Sequence, residues 1–474
     1  MNVLYTGFSK GLAEVPEYLK KRLSSIEDVH LIIDNKQEIK TVCKNYLLTR
    51  NCQLGHFTNI IKYSDIPLDE HFLNEMSKCE STVLKMMDRY QFTECLLIYE
   101  ERINLYHKQL KFWYNYLVKE KIDVCFFAVI PHVVYDFVIY SLCKHLGIKT
   151  FMLYRLPVLP RKNVSLYVLK DINEHIPGLK ASYQKHLKSS TPLSLTPRMS
   201  AYLDLKEGNE NKTFSGIVSS SKDLGKYFQI GKYLNYIKYK ASWLRQWIKL
   251  WGAPIDIFYR SIYNLSMLGM GKPVYTVDPE LTCKFIFVSL HYQPECTTCP
   301  MGGAFVHQDL MIEILMKAVP SDVKIYIKPH PREGMSKKLF KRLQADSRTV
   351  FIDPDLNSFK LIKDSLAIAT ITGTTGWEGF LNNKTILMFG SYFYQDAPGV
   401  YKVKSFSDAK NALEIILHKK EVTSDQMVIA FLKAVEENSF PGWVDSRYSK
   451  LSGLTIHENC TNIANALSVA ILNP

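Results

Sequence analysis

The chain has 474 residues, of which 47% are hydrophobic and 22% charged, and its formal net charge is +13. This composition is typical of a globular protein and excludes a disordered chain, and the length predicts two domains. The positive charge favours an anionic partner such as a nucleotide, an anionic lipid or a nucleic acid. Because no zinc-finger, RNP or helix-turn-helix pattern accompanies the charge, we expect no nucleic-acid partner.

The cysteines and the N-terminus indicate the compartment. Ten cysteines are scattered without the spacing of a disulfide framework, which predicts free thiols in a reducing environment. The N-terminus lacks the charged start and long apolar run of a signal peptide. The sequence contains no run of about 18 apolar residues, so no membrane-spanning helix is predicted. The sequence therefore predicts a cytoplasmic protein, with peripheral binding at the inner face of the membrane left open.

The first part of the chain, residues 1–215, is predicted to be an α/β domain. Apolar runs typical of strands alternate with long helical patterns, although the strand order cannot be read from them. The predicted strands are 3–5, 30–33, 124–130 and 150–154, and the predicted helices are 68–90, 96–119 and 134–146.

Residues 216–279 are predicted to form a helical linker or insert. Its segment 222–251 is rich in Lys and Arg, and Trp243, Trp247 and Trp251 recur every four residues, so one helix face would carry all three. A basic helix with an aromatic face suits an anionic membrane surface. A helix that packs its aromatic face on the core is the alternative.

Residues 280–424 are predicted to form a second α/β domain, followed by C-terminal helices over 425–474. Short apolar runs separated by helical patterns indicate a parallel sheet covered on both faces. Ligands of such sheets bind beyond the carboxyl ends of the strands. The predicted strands are 285–290, 323–327, 350–352, 366–371 and 386–389, and the predicted helices are 306–318, 335–345, 356–363, 406–418, 425–437 and 458–471.

Loops at this carboxyl edge carry the residues of a candidate nucleotide site. The loop 372–376 (TGTTG) precedes a helix, and small residues with helix-start amides suit a phosphate. The loop 328–332 (KPHPR) adds positive charge. Structural turns, a helix N-cap or a helix-dipole partner are the alternatives for these positions. The candidate donor-binding residues are Gln293, Glu295, Lys328, His330, Arg332, Thr372, Gly373, Thr374, Thr375, Gly376 and Glu378.

Four motifs follow one another at 287–295 (FVSLHYQPE), 328–331 (KPHP), 372–378 (TGTTGWE) and 389–394 (FGSYFY). Together they resemble the nucleotide-binding half of bacterial capsule polysaccharide biosynthesis proteins, a group that includes β-Kdo transferases. The resemblance implies a GT-B glycosyltransferase, in which two Rossmann-like domains face each other across a cleft. It places the sugar nucleotide on the second domain and the acceptor on the first.

The resemblance also implies substrates. A sugar would pass from a nucleotide-sugar donor, preferably CMP-Kdo-like and alternatively a UDP-sugar, to a surface or capsular polysaccharide or a lipid-linked glycan. Glu378 resembles the Glu that binds the ribose hydroxyls of the donor, and His330 would contact its phosphate or ribose. A polyol-phosphate transferase of teichoic-acid type and a non-catalytic glycan-assembly partner remain the alternatives.

The candidate catalytic residues are His132, Asp136 and His330. An inverting transferase needs a carboxylate or a His near the acceptor hydroxyl, and His132 and Asp136 follow a predicted strand of the first domain. We expect no metal and no other cofactor. Cys296 and Cys299 form a CxxC without a second pair, and Asp353-Pro-Asp355 lies between a strand and a helix, where Asp suits a turn.

Overall fold

The computed structural model describes residues 1–57, 67–88, 98–157, 164–203, 206, 274–293, 295–331, 335, 337–419 and 423–473. The predicted basic aromatic segment 222–251 lies outside the described residues, as does most of the predicted linker 216–279. The candidate donor-binding residue Arg332 also lies outside them.

Two sheets form from the described residues. The strands of the first are β1 (Asn2–Thr6), β2 (Val29–Ile33), β3 (Asn45–Leu48), β4 (Ile122–Phe127), β5 (Lys149–Arg155) and β6 (Ser165–Leu169), and those of the second are β7 (Phe285–Ser289), β8 (Lys324–Lys328), β9 (Thr349–Phe351), β10 (Ala367–Thr370), β11 (Thr385–Met388) and β12 (Val400–Lys402). A last strand, β13 (Phe440–Pro441), joins the first sheet.

Helices cover both sheets. In the first half they are Val15–Arg22, Thr49–Leu54, Glu70–Glu75, Ser77–Met86, Tyr99–Lys119, Val134–His145, Leu179–Leu187 and Pro197–Ser200. In the second half they are Gln308–Ala318, Lys337–Leu343, Ser358–Asp364, Thr374–Leu381 and Phe406–Glu414, followed by Asp425–Glu437, Ser449–Ser452 and Ile456–Leu472. Short 3₁₀ turns lie at Lys10–Leu12, Lys36–Glu38, Gly303–Val306 and Ser446–Tyr448, and a π turn at Ile415–Lys419.

The strand order explains where a ligand crevice opens. The sheets run β13-β6-β5-β4-β1-β2-β3 and β12-β11-β10-β7-β8-β9, and all neighbouring pairs are parallel except β5–β6 and β6–β13. In the second sheet the chain moves outward from β7 to β9 and then returns to β10 on the other side of β7. The loops after β7 and β10 therefore flank the point where the order reverses, which is where open α/β sheets bind ligands. In the first sheet the order reverses in the same way between β1 and β4, which are neighbours.

The predicted strands and most predicted helices are confirmed, because both depend on buried apolar runs. All five residues of β2 and all four of β10 are buried, as expected for parallel strands covered on both faces. The sequence analysis missed β3, β12 and β13, which are edge strands with weak apolar patterns, and β6, which is apolar but pairs antiparallel with both of its neighbours. The predicted helix 68–90 is wrong in extent, since two helices there meet at Met76.

The carboxyl edges of the two sheets face each other. Tyr154, near the end of β5, donates its hydroxyl to Met301 Sδ at 3.6 Å, and its ring packs edge-on against Tyr392 with 5.8 Å between centroids. Cys299 Sγ lies 3.7 Å from the carbonyl oxygen of Thr82. Met301 and Tyr392 lie in the loops after β7 and β11. The predicted α/β fold class, with two Rossmann-like units meeting in the GT-B manner, is confirmed.

The end of the chain returns to the first sheet. Strand β13 pairs antiparallel with β6, and the helix Ile456–Leu472 packs on the helix Val15–Arg22. Cys460, Ile463 and Leu467 of this last helix are buried in one apolar cluster with residues of β1 and β2. The helix Ile456–Leu472 is thus part of the core of the first unit.

Asn459 fixes this returning segment. Its buried side chain accepts from the Trp443 amide at 2.8 Å and donates to the Trp443 carbonyl at 3.0 Å. Asn459→Ala leaves both backbone groups without their partner, and we expect the unfolding free energy to fall by about 2–3 kcal/mol in urea denaturation. Asn462→Ala is the control, because its bond to the Pro441 carbonyl is exposed. Equal losses in the two variants would contradict this account.

Candidate functional site

The helix Thr374–Leu381 begins at the carboxyl end of β10, beside the point where the strand order reverses. Gly373 is its N-cap residue with extended backbone angles, and Thr374 and Thr375 open the first turn. The first amides of a helix have no intrahelical acceptor, so they attract anions. Thr374 is exposed and Thr375 half-buried, and the Thr375 hydroxyl lies 3.1 Å from Ser289 Oγ at the end of β7. This helix start is suited to a phosphate.

Two members of the predicted set have structural contacts. Thr372 is buried and donates its hydroxyl to the Thr297 carbonyl at 2.7 Å, which joins the loops after β7 and β10. A Cβ on Gly376 would lie 2.3 Å from the Tyr394 hydroxyl, which itself donates to the Gly373 carbonyl at 2.6 Å. Thr372 and Gly376 therefore shape the loop, and their contact with a ligand stays a prediction.

Lys328 and Glu378 bring a buried basic and a buried acidic side chain to this edge. Lys328 ends β8 and is 9% exposed, and Glu378 is 8% exposed. Burial raises the pKa of Glu378 to about 8, against the opposing effect of the Lys328 charge. Burial also lowers the pKa of Lys328, and the charges of Asp355, Glu378 and Asp353 oppose that shift. Near neutral pH the Glu378 carboxyl is largely protonated, so it both donates and accepts hydrogen bonds.

His330 follows β8 in the predicted position. It is half-buried, and its ring packs against that of Tyr292, which lies in the loop after β7, with 5.5 Å between the ring centroids. Its charge contributes to lowering the pKa of His291, after the larger effect of burial. The loops after β7 and β8 are therefore in contact at His330, as expected from neighbouring strands.

Gln293 and Glu295 are tied to their own loop. Gln293 donates to the Val306 carbonyl at 2.5 Å, and the Glu295 carboxylate accepts from the Thr297 hydroxyl at 3.2 Å. The Glu295 carbonyl also accepts the Thr298 and Cys299 amides at 3.2 and 2.9 Å. These contacts favour the structural-turn alternative for Glu295, and donor contact by either residue stays a prediction.

In the first unit, His132 and Asp136 follow β4, next to the loop after β1. The Nδ1 of His132 lies 2.6 Å from the Ile130 carbonyl, which requires a proton on Nδ1 and leaves the lone pair of the neutral ring on Nε2. Asp136 is buried, and its carboxylate accepts the Val133 amide at 2.8 Å as a helix cap. A role of either residue in proton transfer stays a prediction.

The Asp353-Pro-Asp355 segment and the Cys296–Cys299 pair are the positions at which a metal ion was considered. Asp353 Oδ1 accepts the Asp355 amide at 2.8 Å, which is the turn predicted for this segment. Cys296 and Cys299 are free thiols. No group of three His, Cys, Asp or Glu side chains is placed to hold a metal ion within the described ranges.

Sequence reasoning missed His291, although it lies in the first of the four motifs. The ring is buried, and its Nε2 lies 3.0 Å from Thr370 Oγ1 and 3.3 Å from the amides of both Ile371 and Thr372. A polar residue directly after a buried strand at the reversal point was the available signal. Nothing in the sequence shows that this ring points across to β10.

Comparison with known proteins agrees with the predicted resemblance. Residues 296–433 match the family model described as capsule polysaccharide biosynthesis protein. The predicted family resemblance is confirmed in this segment. The match covers the loop 328–331 and the helix start at 374, and it agrees with the predicted transferase class. No curated protein sequence matches the chain.

Several solved structures resemble this chain at low sequence identity. The β-Kdo 2,7 transferase KpsC of Thermosulfurimonas dismutans is 11% identical over 74% of this chain and 96% of its own, with a TM-score of 0.31. The β-Kdo 2,4 transferase KpsC of the same organism is 12% identical over 66% and 87%, with a TM-score of 0.30. UDP-GlcNAc 2-epimerase of Methanocaldococcus jannaschii is 15% identical over 92% and 99%, with a TM-score of 0.26. Likeness at these scores supports no inference about activity.

The raised pKa of Glu378 predicts a pH-dependent stability. Between its ordinary value near 4.5 and about 8, the folded protein retains a proton that the unfolded chain has released. The contribution of Glu378 to the unfolding free energy is fully present below this pH window and is lost as the pH rises through it. Glu378→Gln has no such loss, so its melting temperature should rise relative to wild type between about pH 5 and about pH 9. Differential scanning calorimetry measures this.

Glu100→Gln is the control for that measurement, because Glu100 is exposed at the start of the helix Tyr99–Lys119. Its difference from wild type should not grow with pH in the same way. A constant difference between Glu378→Gln and wild type across the range would show that the Glu378 carboxyl is ionised throughout.

Proposed function

We propose that this protein is a glycosyltransferase that moves a sugar from a nucleotide-sugar donor to a surface or capsular polysaccharide or a lipid-linked glycan. One observation carries the proposal. Lys328, His330, Glu378 and the first turn of the helix Thr374–Leu381 lie together at the carboxyl edge of the second sheet, opposite the first unit. The match to capsule polysaccharide biosynthesis proteins over 296–433 supports the same class.

The donor would lie on the second unit. The amides of Thr374 and Thr375 and the Lys328 ammonium would bind its phosphate, because anions are stabilised by helix-start amides and by a partly desolvated cation. A protonated Glu378 would hydrogen-bond a ribose hydroxyl without repelling that phosphate. Gln293, His330 and Arg332 complete the proposed donor contacts.

The reaction would join the anomeric carbon of the sugar to an acceptor oxygen as the bond from that carbon to the phosphate oxygen breaks. His132 would take the proton of the acceptor hydroxyl on Nε2, since Nδ1 is held by the Ile130 carbonyl. Lys328 and His330 would offset the negative charge that develops on the leaving nucleotide. The positive charge would thus develop on His132 in the first unit, and the negative charge would develop on the nucleotide bound to the second unit.

We prefer a CMP-Kdo-like donor, with a UDP-sugar as the other candidate. We further propose that the protein acts in the cytoplasm, where its nine described cysteines would remain the free thiols seen here. Segment 222–251 would bind an anionic membrane surface and bring the active site to a lipid-linked acceptor. Within the described ranges no helix is long and apolar enough to cross a bilayer.

Thermal stabilisation by CMP, CDP, UDP and GDP tests the donor site. A ligand at about one hundred times its dissociation constant adds roughly 2.7 kcal/mol to the stability of a protein that binds it only when folded. We expect one nucleotide base to raise the melting temperature of wild type and His330→Ala to lose most of that rise. His71→Ala is the control, because its side chain is 81% exposed in the first unit, and it should keep the full shift.

Absence of a shift with all four nucleotides would contradict the donor site and favour the non-catalytic assembly partner. When a nucleotide does bind, mass analysis of the product made from the corresponding sugar nucleotide identifies the transferred group. A gain of sugar mass supports glycosyl transfer. A gain that includes phosphate would instead establish the polyol-phosphate transferase.

A further inference from the structure

We propose that His291 is a positioning residue that holds the loop 371–373 by accepting hydrogen bonds from its backbone, and so sets the phosphate-binding start of the next helix. The proposal rests on the proposed function, which supplies the phosphate. It assigns a role to a residue that the sequence analysis left out of the site. It also adds a second contact between the loops after β7 and β10, beside the bond from Thr372 to the Thr297 carbonyl.

The contacts of the ring run across the reversal point of the sheet. His291 follows β7, yet its Nε2 contacts the end of β10 and the loop beyond it. The Ile371 and Thr372 amides each donate to Nε2 at 3.3 Å, and Thr370 Oγ1 lies 3.0 Å from it. Thr370 Oγ1 in turn accepts the Gly373 amide at 3.0 Å. Three successive amides are therefore turned inward.

An imidazole nitrogen that accepts from backbone amides must carry a lone pair, so the ring is neutral with its proton on Nδ1. The surroundings favour this form. Burial, with a smaller contribution from the His330 charge, lowers the pKa of His291 to about 4. The ring thus remains an acceptor at any pH at which the protein would work, and it adds no charge of its own to the site.

The main chain of His291 is also fixed. Its amide donates to Gln308 Oε1 at 2.7 Å, and its carbonyl accepts Gln308 Nε2 at 2.9 Å. Gln308 is the first residue of the helix Gln308–Ala318. A side chain whose backbone is held at two points loses little further freedom when it binds the loop, so it can fix the loop with small entropic cost.

Gly373 completes the arrangement. A Cβ there would lie 3.3 Å from His291 Cε1, 3.4 Å from Nε2 and 2.6 Å from Thr370 Oγ1. The loop therefore approaches the ring closely only with glycine at 373. With the amides of 371–373 committed inward, the helix begins at the exposed Thr374. The direction of the helix start follows from the acceptor on His291.

The test compares His291→Gln with His291→Phe. Glutamine places an amide oxygen near the position of Nε2 and keeps an acceptor, whereas phenylalanine keeps a ring and removes the acceptor. We expect His291→Phe to lose at least about tenfold in affinity for the nucleotide that binds wild type, because buried amides lose their partner. His291→Gln should stay within about threefold. Titration calorimetry with CMP, CDP, UDP and GDP measures both.

Hydrogen exchange of the peptide that spans 366–376 gives a readout without any nucleotide. Protection of the Ile371 and Thr372 amides should be retained in His291→Gln and lost in His291→Phe, with the remaining peptides of the second sheet unchanged. Loss of protection across the whole sheet in His291→Phe, with equal affinity per folded molecule, would show a purely structural role and overturn the inference.

Other outcomes separate the two proposals. If wild type binds none of the four nucleotides, the proposed function fails. If wild type binds and both variants bind equally well, only the role of His291 fails. If His291→Gln binds normally and yet loses turnover, the ring takes part in proton transfer, and the positioning role is overturned.

Discussion

The structure depends on one constraint, which is that both sheets are covered by helices on both faces. Strands such as β2 and β10 are buried along their whole length, so a polar side chain within them needs a buried partner, as His30 of β2 has in the Tyr116 hydroxyl at 2.8 Å. Polar side chains are placed more easily where the strands end. Because neighbouring strands are parallel, the loops that follow them collect at one edge, and the candidate site residues lie there. The two edges meet where Tyr154 contacts Met301 and Tyr392, and this brings loops from distant parts of the sequence together.

Burial at that edge also determines the charges. Lys328 and Glu378 lie close enough to influence each other, yet desolvation dominates both and shifts each toward its neutral form. His291 is likewise kept neutral. The site therefore contains less fixed charge than its residue types indicate, and the arrival of an anionic ligand would favour the charged form of Lys328. The favourable interaction between the Lys328 ammonium and a phosphate would then arise only when the ligand binds.

The sequence allowed the central strands, the carboxyl edge and the loops 328–331 and 372–376 to be predicted, because each depends on a local pattern of apolar and small residues. Edge strands β3, β12 and β13 lack such a pattern, since one side of each has no neighbour to pack against. Among site residues, the position of Glu378 followed from its helix, but its protonation depends on burial by distant residues. The reach of His291 from one loop to another also depends on tertiary contacts, which no spacing reveals.

The return of the last helix and β13 to the first sheet has a consequence for synthesis of the chain. A ribosome releases the first unit before the second, but the apolar faces of Val15 and Leu19 acquire their covering helix only when Ile463 and Leu467 have emerged. The strands of the second sheet end at Lys402, so all of them are made before this covering helix. Until the helix emerges, the nascent first unit exposes an apolar surface of the kind that chaperones bind. A premature stop codon shortly after residue 424 would thus damage the part of the protein that was made first.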